Sequence, residues 1–182
     1  MSSQLVNLGL VFILIQVSRK FDTTDPNVIL GIRAAYVISQ LVILGGCFYI
    51  KSKITQKHDQ TVLKYVEPKP GNPEGELVVT THEKYDLDEV QKQIKQTLIG
   101  LAIIAGIHIY FGTFQPLFLQ TVIPVRGFLT SKVAQIHLWG KAAEGDLKRP
   151  FVAEGPFAAM TQPKTDEASI KKAEEAAGKK DE

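Results

Sequence analysis

The sequence predicts a mainly α-helical, small multi-helix integral membrane protein, and three observations predict it. First, the apolar residues are gathered into three blocks, Leu5–Val17, Val28–Ile50 and Thr97–Val125. They do not recur at the helical or strand spacing that a water-soluble core requires. Second, the middle block is long enough for the roughly 20 helical residues that cross a bilayer. Third, polar side chains interrupt the blocks: Asn7, Gln16, Arg33, Gln40, His108, Gln115 and Gln120. In hydrocarbon such groups are costly unless partnered, so they face protein or a wet cavity and form a polar seam. Bulk composition conceals this pattern, since 45% hydrophobic residues and a mean hydropathy of +0.02 would suit an ordinary soluble domain.

The 182 residues divide into segments 1–61, 62–85, 86–131, 132–153 and 154–182. The hydrophilic stretches 51–96 and 126–182 are too short for a large independent enzyme domain. The single cysteine, Cys47, excludes a disulfide framework within one chain. His58, His82, His108 and His137 show no ligand-pair spacing, so no metal site is expected.

The first block is short, and Arg19-Lys20 closes it at an interface. Met1–Gln4 lacks a basic n-region and Val17–Lys20 is a poor cleavage site, so an uncleaved signal-anchor or short membrane helix is expected. Asp25-Pro26 then starts a helix: Asp25 can cap free N–H groups, and Pro26 suits a first position that needs no donor. That helix should run through Ile50 toward Lys57, with Arg33, Tyr36, Gln40, Leu44 and Cys47 on one face.

Residues 62–81 read as a cytosolic β-hairpin, Val62–Val66 and Leu77–Thr81 flanking a Pro/Gly-rich turn over Glu67–Glu76. Asp86 with Glu89 resembles a capping box opening the next helix, which becomes apolar near Thr97. Gly100, Ala102, Ala105 and Gly106 would allow a neighbouring helix to approach closely. Pro116 breaks the third block near Gly112–Gln115. Two arrangements suit that break: one kinked span, or a hairpin whose second half returns. Charge favours the hairpin, because Lys51, Lys53 and Lys57 after the second block and Arg126 and Lys132 after the third would all be cytosolic. Beyond it, Val133–Trp139 reads as a strand, Gly140 and Gly145 as turns, and 154–182 as a disordered tail with one weak helix near Thr165-Asp166.

No Walker loop, GxSxG, HExxH or paired-cysteine motif occurs, so neither catalytic residues nor cofactors are expected. Arg33 stands out, seven residues after Pro26 and so about 10 Å along the helix. It can hold an anion, wet a groove that admits polar parts of a client, or snorkel back to the interface near Asp22 and Asp25. His108 can lie on a proton pathway or simply hydrogen-bond between helices. With Gln40, Gln115 and Gln120 these two form the candidate groove. Lys51, Lys53, Lys57, Lys148 and Arg149 form a candidate contact for a partner or the ribosome, although eight acidic residues between Asp59 and Glu89 offset the charge.

Several motifs occur together in order: Ser18-Arg19-Lys20 with Asp25-Pro26, Lys64-Tyr65-Val66-Glu67-Pro68, Tyr85-Asp86-Leu87, Ile136–Lys141 and Gly145-Asp146-Leu147-Lys148-Arg149-Pro150-Phe151. Across residues 5–170 the chain resembles a fungal endoplasmic reticulum membrane family. That family was first named for inorganic phosphate transport and later assigned to the SRP-independent (SND) targeting route. The resemblance implies a multi-pass ER membrane protein, not an enzyme, that delivers or inserts membrane-protein clients beside the Sec translocon and its associated membrane subunits. Phosphate transport, or regulation of phosphate uptake, is the alternative; a non-catalytic structural subunit of a translocon is a second one.

Overall fold

The computed structural model describes residues 3–69, 72–152 and 162–178. The chain divides into two compact units, one of residues 1–50 and 90–131, the other of 51–89 and 132–182. Two long helices, α2 (Pro26–Lys57) and α3 (His82–Phe111), contribute to both.

The first unit is wholly helical among the described residues: α1 (Ser3–Ser18), the first part of α2, the apolar part of α3, and α4 (Gln115–Thr130). α2 begins at Pro26 as its sequence requires, with the Asn27 N–H donating to Asp25 Oδ1 at 2.8 Å. Two helices, α2 and α3, are long and apolar enough to cross a membrane, not three. α1 carries only a short apolar stretch, and the third block is split by Gly112, which adopts a left-handed φ of +65°, and by Pro116 in the first turn of α4. Ile32 and Tyr36 of α2 pack with Ile104 of α3 and Leu117 of α4, and Phe21 meets Phe118 edge-on at 5.0 Å.

Further along, Gln40 meets Gln120 and Gly46 meets Phe128, so α4 runs parallel to α2. α3 and α4 therefore form a hairpin. The close approach expected at Gly100 and Gly106 is absent, since a Cβ at either would meet nothing within 4 Å. Gly46 carries it instead: a Cβ there would lie 2.5 Å from Phe128 Cζ.

The outer faces of this unit are apolar. Leu30, Val37, Leu41 and Phe48 of α2 and Ile99, Ile103 and Ile109 of α3 are all exposed. An apolar surface of that extent does not suit water.

The second unit is built on the antiparallel pair β1 (Val62–Lys69) and β2 (Asn72–Thr81). Pairing persists to Lys69 and Asn72, so the strands are longer and the turn shorter than the sequence suggested; Pro70 and Gly71 lie outside the described residues. α2 ends at Lys57; His58 follows with a left-handed φ of 48°, and then Asp59. The Asp59 carbonyl accepts from the Glu83 N–H at 3.0 Å and its carboxylate from the Thr61 N–H at 3.2 Å, binding the start of β1 to the start of α3.

Three expectations need correction here. α3 starts at His82, with the Lys84 N–H donating to Thr81 Oγ1 at 3.2 Å, so Asp86 is not a cap. Val133–Trp139 is not a strand: α5 covers Lys132–His137, burying Val133, Ala134 and Ile136, a spacing that a helix also satisfies. The helix expected near Thr165-Asp166 is present, with the Ser169 N–H donating to Asp166 Oδ2 at 2.9 Å, and the tail around it is better anchored than expected. Lys164 exchanges both backbone hydrogen bonds with Val66 at 2.9 and 3.0 Å, and α6 (Glu167–Gly178) buries Ala173 as it packs on the hairpin. Residues 154–161 and 179–182 of that predicted tail lie outside the described residues.

Candidate functional site

Arg33 and His108 are 75 residues apart, and the helix hairpin brings them into contact: Arg33 Nε donates to His108 Nε2 at 3.1 Å. A guanidinium has no acceptor, so His108 Nε2 presents its lone pair, and the proton sits on Nδ1. That Nδ1 lies 3.0 Å from the Thr113 carbonyl, which can only accept. The ring of Phe114 lies 4.9 Å from the imidazole, and the Arg33 guanidinium carbon sits 5.7 Å over its face. Among the described residues the charged fork is thus held by a neutral imidazole and an aromatic face, with no carboxylate. Such an arginine keeps donors to offer.

Gln40 is buried, and its amide donates to Ser39 Oγ at 3.2 Å and to the Gln120 carbonyl at 3.3 Å. The reason lies four residues beyond Gln120. Pro124, inside α4, has no N–H to return to that carbonyl, so a side chain from α2 supplies the donor. The sequence holds this signal in the Gln120–Pro124 spacing, which is legible only once α4 is known to pass through Pro124. Gln115 is exposed at the start of α4, on the wall of a cavity of about 450 Å³ that Arg19, Phe21, Thr113 and Phe118 also line. Arg33, Gln40, His108 and Gln120 are therefore brought into two linked contacts along α2, and Gln115 lies beside them. The side chain of Asn7 lies outside the described residues.

The basic residues named for partner contact divide. Lys51, Lys53, Lys57 and Lys148 are exposed. Arg149 is not available for such contact: it is 7% exposed, with Nε donating to Asp86 Oδ1 and an Nη to Asp86 Oδ2, each at 2.6 Å. His137 Nε2 completes the cluster, 2.7 Å from Asp86 Oδ2. Burial alone would raise the Asp86 carboxyl, but the hydrogen bonds from Arg149 and His137 hold it below the ordinary carboxylate range. Beside it the Tyr85 hydroxyl accepts from the Phe151 N–H at 2.8 Å, and burial pushes that phenol up. The sequence run Gly145–Phe151 thus locks Asp86 into the interior of the second unit.

These features define a class: a small helical protein with two bilayer-length apolar helices, a polar seam between them, and a compact hairpin-and-helix unit. The chain belongs to the family described as Phosphate transport (Pho88), whose pattern matches residues 1–181. It is 42% identical to SRP-independent targeting protein 3 of Saccharomyces cerevisiae over 184 residues, covering 97% of this chain and 96% of that protein. The SRP-independent targeting protein 3 homolog of Schizosaccharomyces pombe is 34% identical over 175 residues, covering 94% and 90%. An uncharacterized protein of the same yeast is 41% identical over 154 residues, covering 83% and 76%. No solved structure matches the chain. The family resemblance read from the motifs is confirmed.

Proposed function

We propose that this chain is a multi-pass ER membrane protein of the SRP-independent targeting route, one that eases the insertion of membrane-protein clients through its polar seam. The Arg33–His108–Thr113 chain of hydrogen bonds carries the reading. It places an arginine among apolar helix faces without a counter-carboxylate. Polar flanks of a client could take up those donors in place of water, which lowers the cost of passing them through hydrocarbon. The short α1 would thin the bilayer locally and lower that barrier further. The likeness to proteins named for SRP-independent targeting supports the route. In this reading the clients, the Sec translocon with its membrane subunits, and the ribosome are partners, and the chain performs no enzymatic step.

Client insertion into proteoliposomes holding the purified chain tests this. Arg33→Leu should abolish the gain in insertion and Arg33→Lys should largely preserve it. Equal insertion by both variants removes Arg33 from the mechanism.

A phosphate carrier is the second reading, favoured by the family description. Against it, Arg33 is the single Lys or Arg inside the apolar blocks, so free phosphate crossing the membrane would meet one cation along the helices. Saturable phosphate flux into the same liposomes would favour the carrier. A purely structural translocon subunit is the third, and crosslinks from nascent client helices to Arg33 or Gln40 would argue against it.

A further inference from the structure

The cavity of about 450 Å³ beside the seam is lined by polar and apolar residues alike. Its donors are the Arg19 guanidinium, the Thr23 and Thr113 hydroxyls and the Gln115 amide. Among the described residues none of these four side chains has a hydrogen-bond partner within the chain. Arg19 is the one ionised side chain that lines the cavity. The acidic groups of the same connection are engaged with their own backbone: Asp22 accepts from the Thr24 N–H at 2.9 Å and Asp25 from the Asn27 N–H at 2.8 Å. Phe21 and Phe118, which meet edge-on, are among its apolar lining residues. Val17 and Phe111, the chain neighbours of the lining residues Ser18 and Gly112, are exposed, so apolar surface adjoins the cavity lining.

We propose that this cavity binds the headgroup phosphate of an anionic phospholipid, with Arg19 on the phosphate and an acyl chain laid along Val17 and Phe111. Unpaired donors with one cation fit a phosphate ester, since guanidinium pairs with its oxygens through two parallel hydrogen bonds. The adjoining apolar surface distinguishes a lipid from free phosphate, which would gain nothing from it. Four polar groups facing a mixed-polarity cleft are also the usual make-up of a ligand site. The proposal rests on the membrane reading above.

The test reconstitutes the full chain in nanodiscs of phosphatidylcholine with and without phosphatidylserine. Retained lipid is counted by native mass spectrometry, and a photoactivatable phosphatidylserine maps the contact. The wild type should retain phosphatidylserine over phosphatidylcholine and crosslink within 17–23 or 111–118. Arg19→Gln should lose that preference by about tenfold, the scale of one charge-assisted hydrogen-bonded contact, and Arg19→Lys should lose less. Because Arg19 is exposed, neither variant should perturb folding. Unchanged retention in Arg19→Gln, or displacement of the lipid by inorganic phosphate alone, overturns the proposal. Failure of the chain to enter nanodiscs overturns the membrane reading instead, so the two failures are distinguishable.

Discussion

Each unit contains an arginine beside a histidine, and the two pairs differ in every respect that matters. Arg149 is enclosed, held by both oxygens of Asp86, and His137 supports the same carboxylate. Arg33 is exposed, and among the described residues its hydrogen-bonded partner is a neutral imidazole. A buried cation with a satisfied carboxylate is architecture: its donors are consumed and its removal strands a charge. A cation leaning on a neutral ring and an aromatic face retains donors for a visitor. The contrast shows that the type of partner, more than the presence of an arginine, separates a scaffold residue from a candidate working one.

Breaking the scaffold pair should have the largest effect. Arg149→Met leaves Asp86 buried with only His137 beside it and should destabilise the second unit by about 3–5 kcal/mol. Asp86→Leu with Arg149→Met removes both charges and should recover most of that loss. Hydrogen exchange across β1, β2 and α5 measures both variants. A single variant as stable as the wild type would mean that the pair is solvated in solution. Arg33→Leu makes the opposite prediction, with client insertion lost and exchange unchanged.

The next effect compares adjacent glycines of α2. A Cβ at Gly46 would overlap Phe128, which is buried, whereas one at Gly45 would meet nothing within 4 Å. Gly46→Ala should therefore cost about 1–3 kcal/mol through overpacking. Gly45→Ala should be neutral, or stabilise by up to about 1 kcal/mol from helix propensity. Thermal unfolding in detergent would rank them, and equal midpoints would show that α2 and α4 do not hold their spacing.

Much of this was legible in local chemistry. Asp25-Pro26 marked a helix start, the β-rich run before Glu67 marked a strand, and Pro116 marked a break. Those signals act within a few residues. Arg33 and His108 were grouped as a candidate groove from their polarity, but their direct contact and the whole Asp86–Arg149 cluster escaped. These contacts join residues 75 and 63 positions apart, and pattern within one segment does not encode which segments meet. Val133–Trp139 was misread because a run that short satisfies strand and helix spacing alike, and the helix prevailed where it buried Val133, Ala134 and Ile136 together. Asp86 was misread as a cap because its burying partner, Arg149, lies in a segment whose Gly and Pro content suggested only turns.

Acid should weaken the second unit before the first. Hydrogen bonding from Thr61, opposed by burial and aided by His82, holds Asp59 at about 2 against an ordinary 3.8, and Asp86 is lowered as well. A carboxyl with a depressed folded value contributes stability that is complete above its unfolded value and lost as pH falls through the folded one. Exchange protection of β1 and of the first turn of α3 should therefore be level above about pH 5 and decline below about pH 4. Asp59→Asn should flatten part of that decline. An equal decline in the variant would assign the acid sensitivity to Asp86 alone.

The smallest effect concerns the tail. Lys64 Nζ lies 3.0 Å from Glu174 Oε1 on α6, but the two side chains are 49% and 43% exposed. Exposed pairs contribute about 0–1 kcal/mol, because water screens the attraction and two flexible side chains must be held in place. Among the described residues the segment is also attached by the paired backbone bonds of Lys164 with Val66 and by the burial of Ala173. Neither depends on charge. Lys64→Ala should thus leave exchange in α6 nearly unchanged, and raising salt should do as little to the wild type. Should either loosen α6 markedly, charge would be what fastens the tail to the hairpin. The second unit would then contain a part that ionic conditions can release, and its contrast with the seam would narrow.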